Sequence, residues 1–165
     1  MMQKEYLHLN HPIAPVWDEN CVTLILGSFP SVKSRESNFF YGHPQNRFWK
    51  ILSCLVNEQL PQSVKEKESL LLSHHIAIWD VIASCDIVGS SDSSIKNAVA
   101  NDIGFMLENS RIEKIFVNGK TAERLYLKYI LPKTNIEPYL LPSSSPANAT
   151  KTFSELCDEW RKILL

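Results

Sequence analysis

Four short apolar runs recur along this chain, and three of them give way directly to a polar segment rich in Gly, Ser, Pro or Asn. The first is Val22-Thr23-Leu24-Ile25-Leu26, followed by Gly27-Ser28-Phe29-Pro30-Ser31. A continuous apolar run of this length predicts a strand buried on both faces. The second, Ile76 to Ile82, contains Trp79-Asp80-Val81. The third, Lys114-Ile115-Phe116-Val117, leads into Asn118-Gly119. The fourth, Ile136 to Leu141, leads into Pro142-Ser143-Ser144-Ser145-Pro146.

Between the runs the apolar period changes to that of helices. A loop through Tyr41 precedes a predicted helix over Asn46 to Val56, where Phe48, Trp49, Ile51, Leu52 and Leu55 fall at helical spacing. Pro44 is compatible with that helix start. Asn57 to Glu68 reads as a surface loop leading into a short helix, and Gly89 to Ser94 as a polar loop. Ile95 to Glu108 is expected to hold helical turns, and Thr121 to Ile130 a helix. A last helix starts near Thr152, where Thr152 and Glu155 fit a capping box and Phe153, Leu156, Cys157, Trp160 and Leu164 form an apolar stripe. Met1 to Asn20 is expected to wrap the surface.

Strands alternating with helices predict an α/β fold: a three-layer α/β/α sandwich around a mostly parallel, four-stranded central sheet. A chain of 165 residues fits one domain spanning 1–165. Polar segments after the strands would converge on one sheet edge, where open α/β sheets bind ligands.

Composition removes several functions. No apolar run approaches the ~18 residues of a membrane span, and the N-terminus lacks a signal-peptide core. A cytoplasmic protein with no membrane partner is expected. Cys21, Cys54, Cys85 and Cys157 form no CxxC pair, which argues against zinc and iron–sulfur sites. His74 and His75 are adjacent, the wrong spacing for two ligands on one helix face. Asn118-Gly119-Lys120-Thr121 ends like a phosphate-binding loop, but Lys114 stands where that motif needs glycine, and no GxGxxG occurs. No metal or other cofactor is expected. The formal net charge of −1 gives DNA binding no support of its own, although a local basic patch would suffice.

Gly27-x-x-Pro30-Ser31, then Tyr41-Gly42-His43-Pro44-x-Asn46-x-Phe48-Trp49, resembles the first motif of the uracil-DNA glycosylase superfamily. Leu141-Pro142-Ser143-Ser144-Ser145-Pro146-Ala147-Asn148 resembles its second motif, the loop that enters the DNA minor groove. Trp79-Asp80-Val81-Ile82 and Val117-Asn118-Gly119 are similar to the hypoxanthine-DNA glycosylase branch. Phe29 stands where mismatch-specific enzymes carry a water-positioning asparagine, which turns the resemblance toward that branch.

The resemblance implies a monofunctional DNA repair glycosylase acting on a flipped-out deaminated base, with hypoxanthine as the expected one. Its partner would be damaged DNA, and it would act as a monomer. Asn46 would position the attacking water, and Asn118 would contact the departing base. Asn46 also suits a helix cap. Asp80 is a candidate for water activation, or a holder of its loop through backbone amides. Ser28, Phe29 and Tyr41 would form the base pocket, with Tyr41 stacking on the base or packing the loop. Ser31, Ser143, Ser144, Ser145 and Asn148 would meet DNA, and Pro146 and Ala147 would fill the vacated stack. Phe48 and Trp49 are expected in the core. Two alternatives remain open: a mismatch-specific uracil-DNA glycosylase, and a non-catalytic module that binds nucleic acid or a base. No motif places a lysine for Schiff-base chemistry, so strand cleavage is not expected.

Overall fold

A computed structural model describes residues 5–164. Its central sheet contains β2 (Thr23–Gly27), β3 (Ile76–Asp80), β6 (Lys114–Asn118) and β7 (Tyr139–Leu141) in the order β3-β2-β6-β7, all parallel. Alternate residues of these strands point to opposite faces. Ile25, Ile78, Phe116 and Leu141 join a core closed by α2 (Phe48–Val56), α3 (Val64–Ser73) and α7 (Phe153–Trp160). Leu24, Leu26, Ala77, Ile115 and Val117 join a second core closed by α4 (Ile103–Glu108) and α5 (Lys120–Tyr129). Every residue of β2 is buried, as its unbroken apolar pattern requires. The predicted three-layer sandwich with four parallel strands is the observed one.

The structure adds a second sheet. β1 (Leu7–Asn10), β4 (Ile82–Ile87) and β5 (Lys96–Ala100) form an antiparallel ladder in the order β1-β4-β5. Two expectations are thereby corrected. The N-terminal segment is not only a surface wrap, because it contributes β1. Ile95 to Glu108 is helical only from Ile103, since Lys96–Ala100 pairs with β4. The long second apolar run is two strands that part at Val81, whose amide bonds Gly27 O at 2.8 Å. Asn101 Nδ2 donates to Asp80 O and Ile82 O at that junction. Helix α1 (Val32–Ser37) lies within the segment expected to be a loop, capped by the Ser31 side chain. The remaining α-helix is α6 (Leu131–Thr134), and only the last three residues of the fourth predicted strand pair in the sheet.

Candidate active site

A cavity of about 270 Å³ opens at the carboxyl ends of the parallel strands. Ser28, Phe29 and Ser31 after β2, Asp80 of β3, Asn118 of β6 and Ser143 to Ala147 after β7 all line it, as do Tyr41 and Asn46. Asn148 lies instead on an adjoining groove. The sheet brings the strand-end residues together, and the segment between α1 and α2 adds Tyr41 and Asn46.

Ser144 is the hub of the amide groups. It is wholly buried. Its hydroxyl donates to Asn46 Oδ1 at 2.8 Å and accepts from Asn118 Nδ2 at 3.0 Å. Its backbone N–H donates to Asn118 Oδ1 at 3.0 Å. The Asn118 amide is therefore gripped at both ends by one residue. Asn46 Oδ1 also accepts the Phe48 N–H at 3.0 Å, so this asparagine does serve the start of α2. Both lone pairs of that oxygen are then used, which leaves its NH2 group for a ligand. The Ser144 hydroxyl, expected at the DNA, faces inward in this structure and fixes the two asparagines.

Arg47 ties the two motif regions together. Its guanidinium donates to the carbonyls of Lys151, Ser145 and Asn148 at 3.0, 3.0 and 2.8 Å, and its backbone N–H to Ser144 O at 3.0 Å. The other serines shape the same loop. Ser143 Oγ accepts from Ser145 N–H, and Ser145 Oγ from Ala147 N–H, both side-chain turns that set the chain direction. Asn148 Nδ2 donates to Ser143 O. Pro146 and Ala147 are exposed at the loop tip. Ser31 Oγ accepts the Ser34 N–H as the cap of α1 and donates to Ser34 Oγ.

Asp80 is only 4% exposed. Its Oδ2 lies 2.7 Å from His11 Nε2. His11 Nδ1 accepts the Ile13 N–H at 3.2 Å, which places the ring proton on Nε2, directed at the carboxylate. Gly27 is required beneath this pair, because a Cβ there would overlap Asp80 Oδ1 and stand 3.1 Å from the Tyr41 hydroxyl. That hydroxyl is buried without a hydrogen-bond partner. Burial, then the charge of Asp80, pushes the Tyr41 phenol well above its ordinary range; Asn118 opposes the shift, although its amide falls short of hydrogen-bond geometry. The Tyr41 ring stacks on Phe48 with centroids 3.9 Å apart. Phe29 is 7% exposed and meets the His11 ring edge-on at 5.8 Å.

A second carboxyl reaches the cavity from outside the central sheet. Asp92 lies between β4 and β5, and its Oδ1 accepts from Ser28 Oγ at 2.9 Å. Burial raises its pKa most; the Ser28 hydroxyl opposes, the charge of Asp80 adds, and Arg124 opposes. Sequence reasoning missed His11, Arg47 and Asp92. Arg47 stood inside the quoted motif and was its one charged member, which was a usable signal. Asp92 sat in a serine-rich stretch that reads as solvent loop, and His11 in a segment without periodicity.

Among the described residues no group of three or more His, Cys, Asp or Glu side chains could hold a metal ion. No helix there is long and apolar enough to cross a membrane.

The model of the uracil DNA glycosylase superfamily matches residues 15–164. A protein of Methanosarcina acetivorans named hypoxanthine DNA glycosylase is 35% identical over 151 residues, which cover 90% of this chain and 93% of that one. A protein of the same name from Methanosarcina barkeri is 34% identical over 137 residues, covering 81% and 85%. A solution NMR structure of a Methanosarcina acetivorans protein, described as a candidate uracil DNA glycosylase, superposes with a TM-score of 0.78 at 31% identity. That match covers 95% of this chain and 99% of the other.

Proposed function

The chain belongs to the uracil DNA glycosylase superfamily, and on that premise we propose that it excises hypoxanthine from DNA by hydrolysing the N-glycosidic bond of deoxyinosine. The observation that carries the reading is the pair of amides, Asn46 and Asn118, fixed by one buried serine at the rim of a cavity that also holds Asp80. The relatives' names favour hypoxanthine over uracil as the base.

The target nucleotide leaves the duplex and its base enters the cavity. Tyr41, backed by Phe48, offers a ring for stacking, and Phe29 closes the wall. Asn46 holds the attacking water by donating from Nδ2, since its oxygen is already occupied. Asp80 is the acceptor toward which a water proton can point. Asn118 spends one N–H on Ser144 and turns the other to the base. Because the amides cannot serve as strong bases, most of the rate must come from positioning and leaving-group stabilisation. The exposed tip, Pro146 and Ala147, fills the gap left in the stack, and Ser31, Ser143, Ser145 and Asn148 lie along the path of the flanking backbone. The enzyme acts as a cytoplasmic monomer.

The test is a labelled duplex with a single deoxyinosine, incubated with the protein and then treated with alkali. We expect strand breaks only after alkali, and far less product from a matched duplex carrying deoxyuridine. Faster release of uracil than of hypoxanthine would favour the uracil-DNA glycosylase alternative. No release of either base by folded protein would sink the enzymatic reading and leave a nucleic-acid or base-binding module.

A further inference from the structure

The cavity contains two carboxyl groups, held in unequal ways. Asp80 receives an imidazole N–H at 2.7 Å, with the two side chains 5% and 3% exposed. Asp92 receives one neutral hydroxyl at Oδ1, and among the described residues no hydrogen bond reaches its Oδ2. The groups facing Asp92 are Ser28 and Asp80 at the sheet ends, Arg124 on α5 and the Cys85 thiol on β4; Lys120 shares the adjoining groove. Their sum, led by burial, keeps the Asp92 carboxyl protonated to higher pH than an ordinary aspartate. Two carboxyl groups in one cavity, one held by an imidazole N–H and the other by a single hydroxyl with its second oxygen unbonded, are the pairing that glycosidic hydrolysis uses for its acid and its base.

The other polar groups of the cavity are poor acids. Asn46 and Asn118 carry amides. The Tyr41 phenol is pushed far from an acidic range. His43 Nδ1 already accepts the Gln45 N–H at 3.1 Å. Asp92 is left as the group able to part with a proton, and the chemistry of the leaving group needs one. A purine that departs without a proton leaves as an anion, and on N9-linked hypoxanthine the basic ring position is N7.

We propose that Asp92 is the general acid of this cavity, giving its proton to N7 of the leaving hypoxanthine while Asp80 receives a proton from the attacking water. The inference rests on the reading that hypoxanthine is excised here. The C1′–N9 bond breaks with its electron pair passing to the base, and the Asp92 proton goes to N7. The water oxygen bonds to C1′, and one water proton goes to Asp80. The products are neutral hypoxanthine and an abasic deoxyribose. Asp80 then loses its proton to solvent and Asp92 regains one, so both groups return to their starting states. His11 acts on Asp80 as a positioning residue.

The experiment is single-turnover release of hypoxanthine from a deoxyinosine duplex, from acid to mildly alkaline pH, by wild type and by Asp92→Asn, with melting curves for both. A wild-type rate that falls as Asp92 ionises, about 10²–10⁴-fold slower release by the variant, and loss of that alkaline limb in the variant are expected. A variant with the wild-type rate and the same limb would overturn the inference. A second arm needs no variant: wild type is offered a duplex whose hypoxanthine has carbon at position 7. Release as fast as from deoxyinosine overturns the N7 transfer, and strongly reduced release supports it. No release of hypoxanthine by folded wild type overturns the function itself and this inference with it, whereas normal release by an Asp92→Asn protein overturns the inference alone.

Discussion

Ser144 Oγ donates to Asn46 Oδ1 across 2.8 Å, joining residues 98 positions apart in the chain. Through this hydroxyl the first-motif asparagine is referenced to Asn118 on β6. Ser144→Ala would remove both side-chain bonds and leave two amide groups short of a partner. Each such loss is worth about 1–3 kcal/mol when buried. We expect kcat to fall roughly ten- to hundredfold with little change in KM, since the hydroxyl faces the asparagines and not the substrate. Unchanged kcat would remove Ser144 from the positioning of the amides.

Arg47 makes the corresponding prediction for the loop. Three carbonyls converge on one planar guanidinium, a geometry a lysine cannot reproduce. Arg47→Ala and Arg47→Lys should both lower the melting temperature and weaken binding to a deoxyinosine duplex, with lysine giving little rescue. Full rescue by lysine would mean that charge alone, not the fork, holds residues 144–151.

Much of this was legible before the fold. The parallel sheet followed from unbroken apolar runs, and strand ends such as Gly27, Asp80 and Asn118 were placed at the site by the general behaviour of open sheets. What was not legible had specific causes. β1 and β5 are exposed or half-buried at every position, which gives strand periodicity nothing to read. The Asp80–His11 pair spans 69 positions and depends on β1 pairing with β4 and on the Val16–Ile78 bridge to β3, neither of which the sequence shows. The hydroxyls of Ser143, Ser144 and Ser145 looked equivalent in sequence, and only the turn of the chain sends one inward and leaves two to shape the loop.

Gly27 tests the close approach at the catalytic end of β2. A methyl group at this position meets a carboxylate that cannot retreat, because His11 holds its other oxygen. Gly27→Ala should therefore displace Asp80 and Tyr41. A displacement of about 1 Å can cost roughly a hundredfold in rate. Wild-type release of hypoxanthine by Gly27→Ala would show that the Asp80 position is not tied to the rate.

Tyr41 separates stability from function. Its hydroxyl is buried and unpartnered, so Tyr41→Phe removes a polar group whose burial costs the fold about 1–3 kcal/mol. Equal or higher stability is expected near neutral pH, with base release kept, since the ring and not the hydroxyl is placed to stack on the base. The alkaline behaviour follows from sign. Because the folded-state pKa is raised, chiefly by burial, the unfolded chain releases this proton first, and stability falls as pH rises past the unfolded value of about 10. Wild type should lose stability above that pH more steeply than Tyr41→Phe, as read by urea unfolding.

Asp92 yields the complementary test at the acid end. Its folded pKa is raised, chiefly by burial, above an unfolded value of about 3.9. Above the unfolded value the unfolded chain has released this proton while the folded chain still holds it, so stability falls as pH rises, until the folded group ionises as well. Near neutral pH, wild type therefore bears the cost of holding or ionising a buried carboxyl, and Asp92→Asn does not. The variant should unfold at higher urea concentration than wild type at neutral pH, and the gap should close as pH falls below about 3.9. Ser28 can still donate to the amide oxygen, so the hydrogen bond does not bias the comparison. A variant that is more stable but slower in releasing hypoxanthine would show that this carboxyl is kept at a cost to the fold, the usual relation between a strained acid and the reaction it serves. A gap that stays constant with pH would show that Asp92 titrates as an ordinary surface carboxylate.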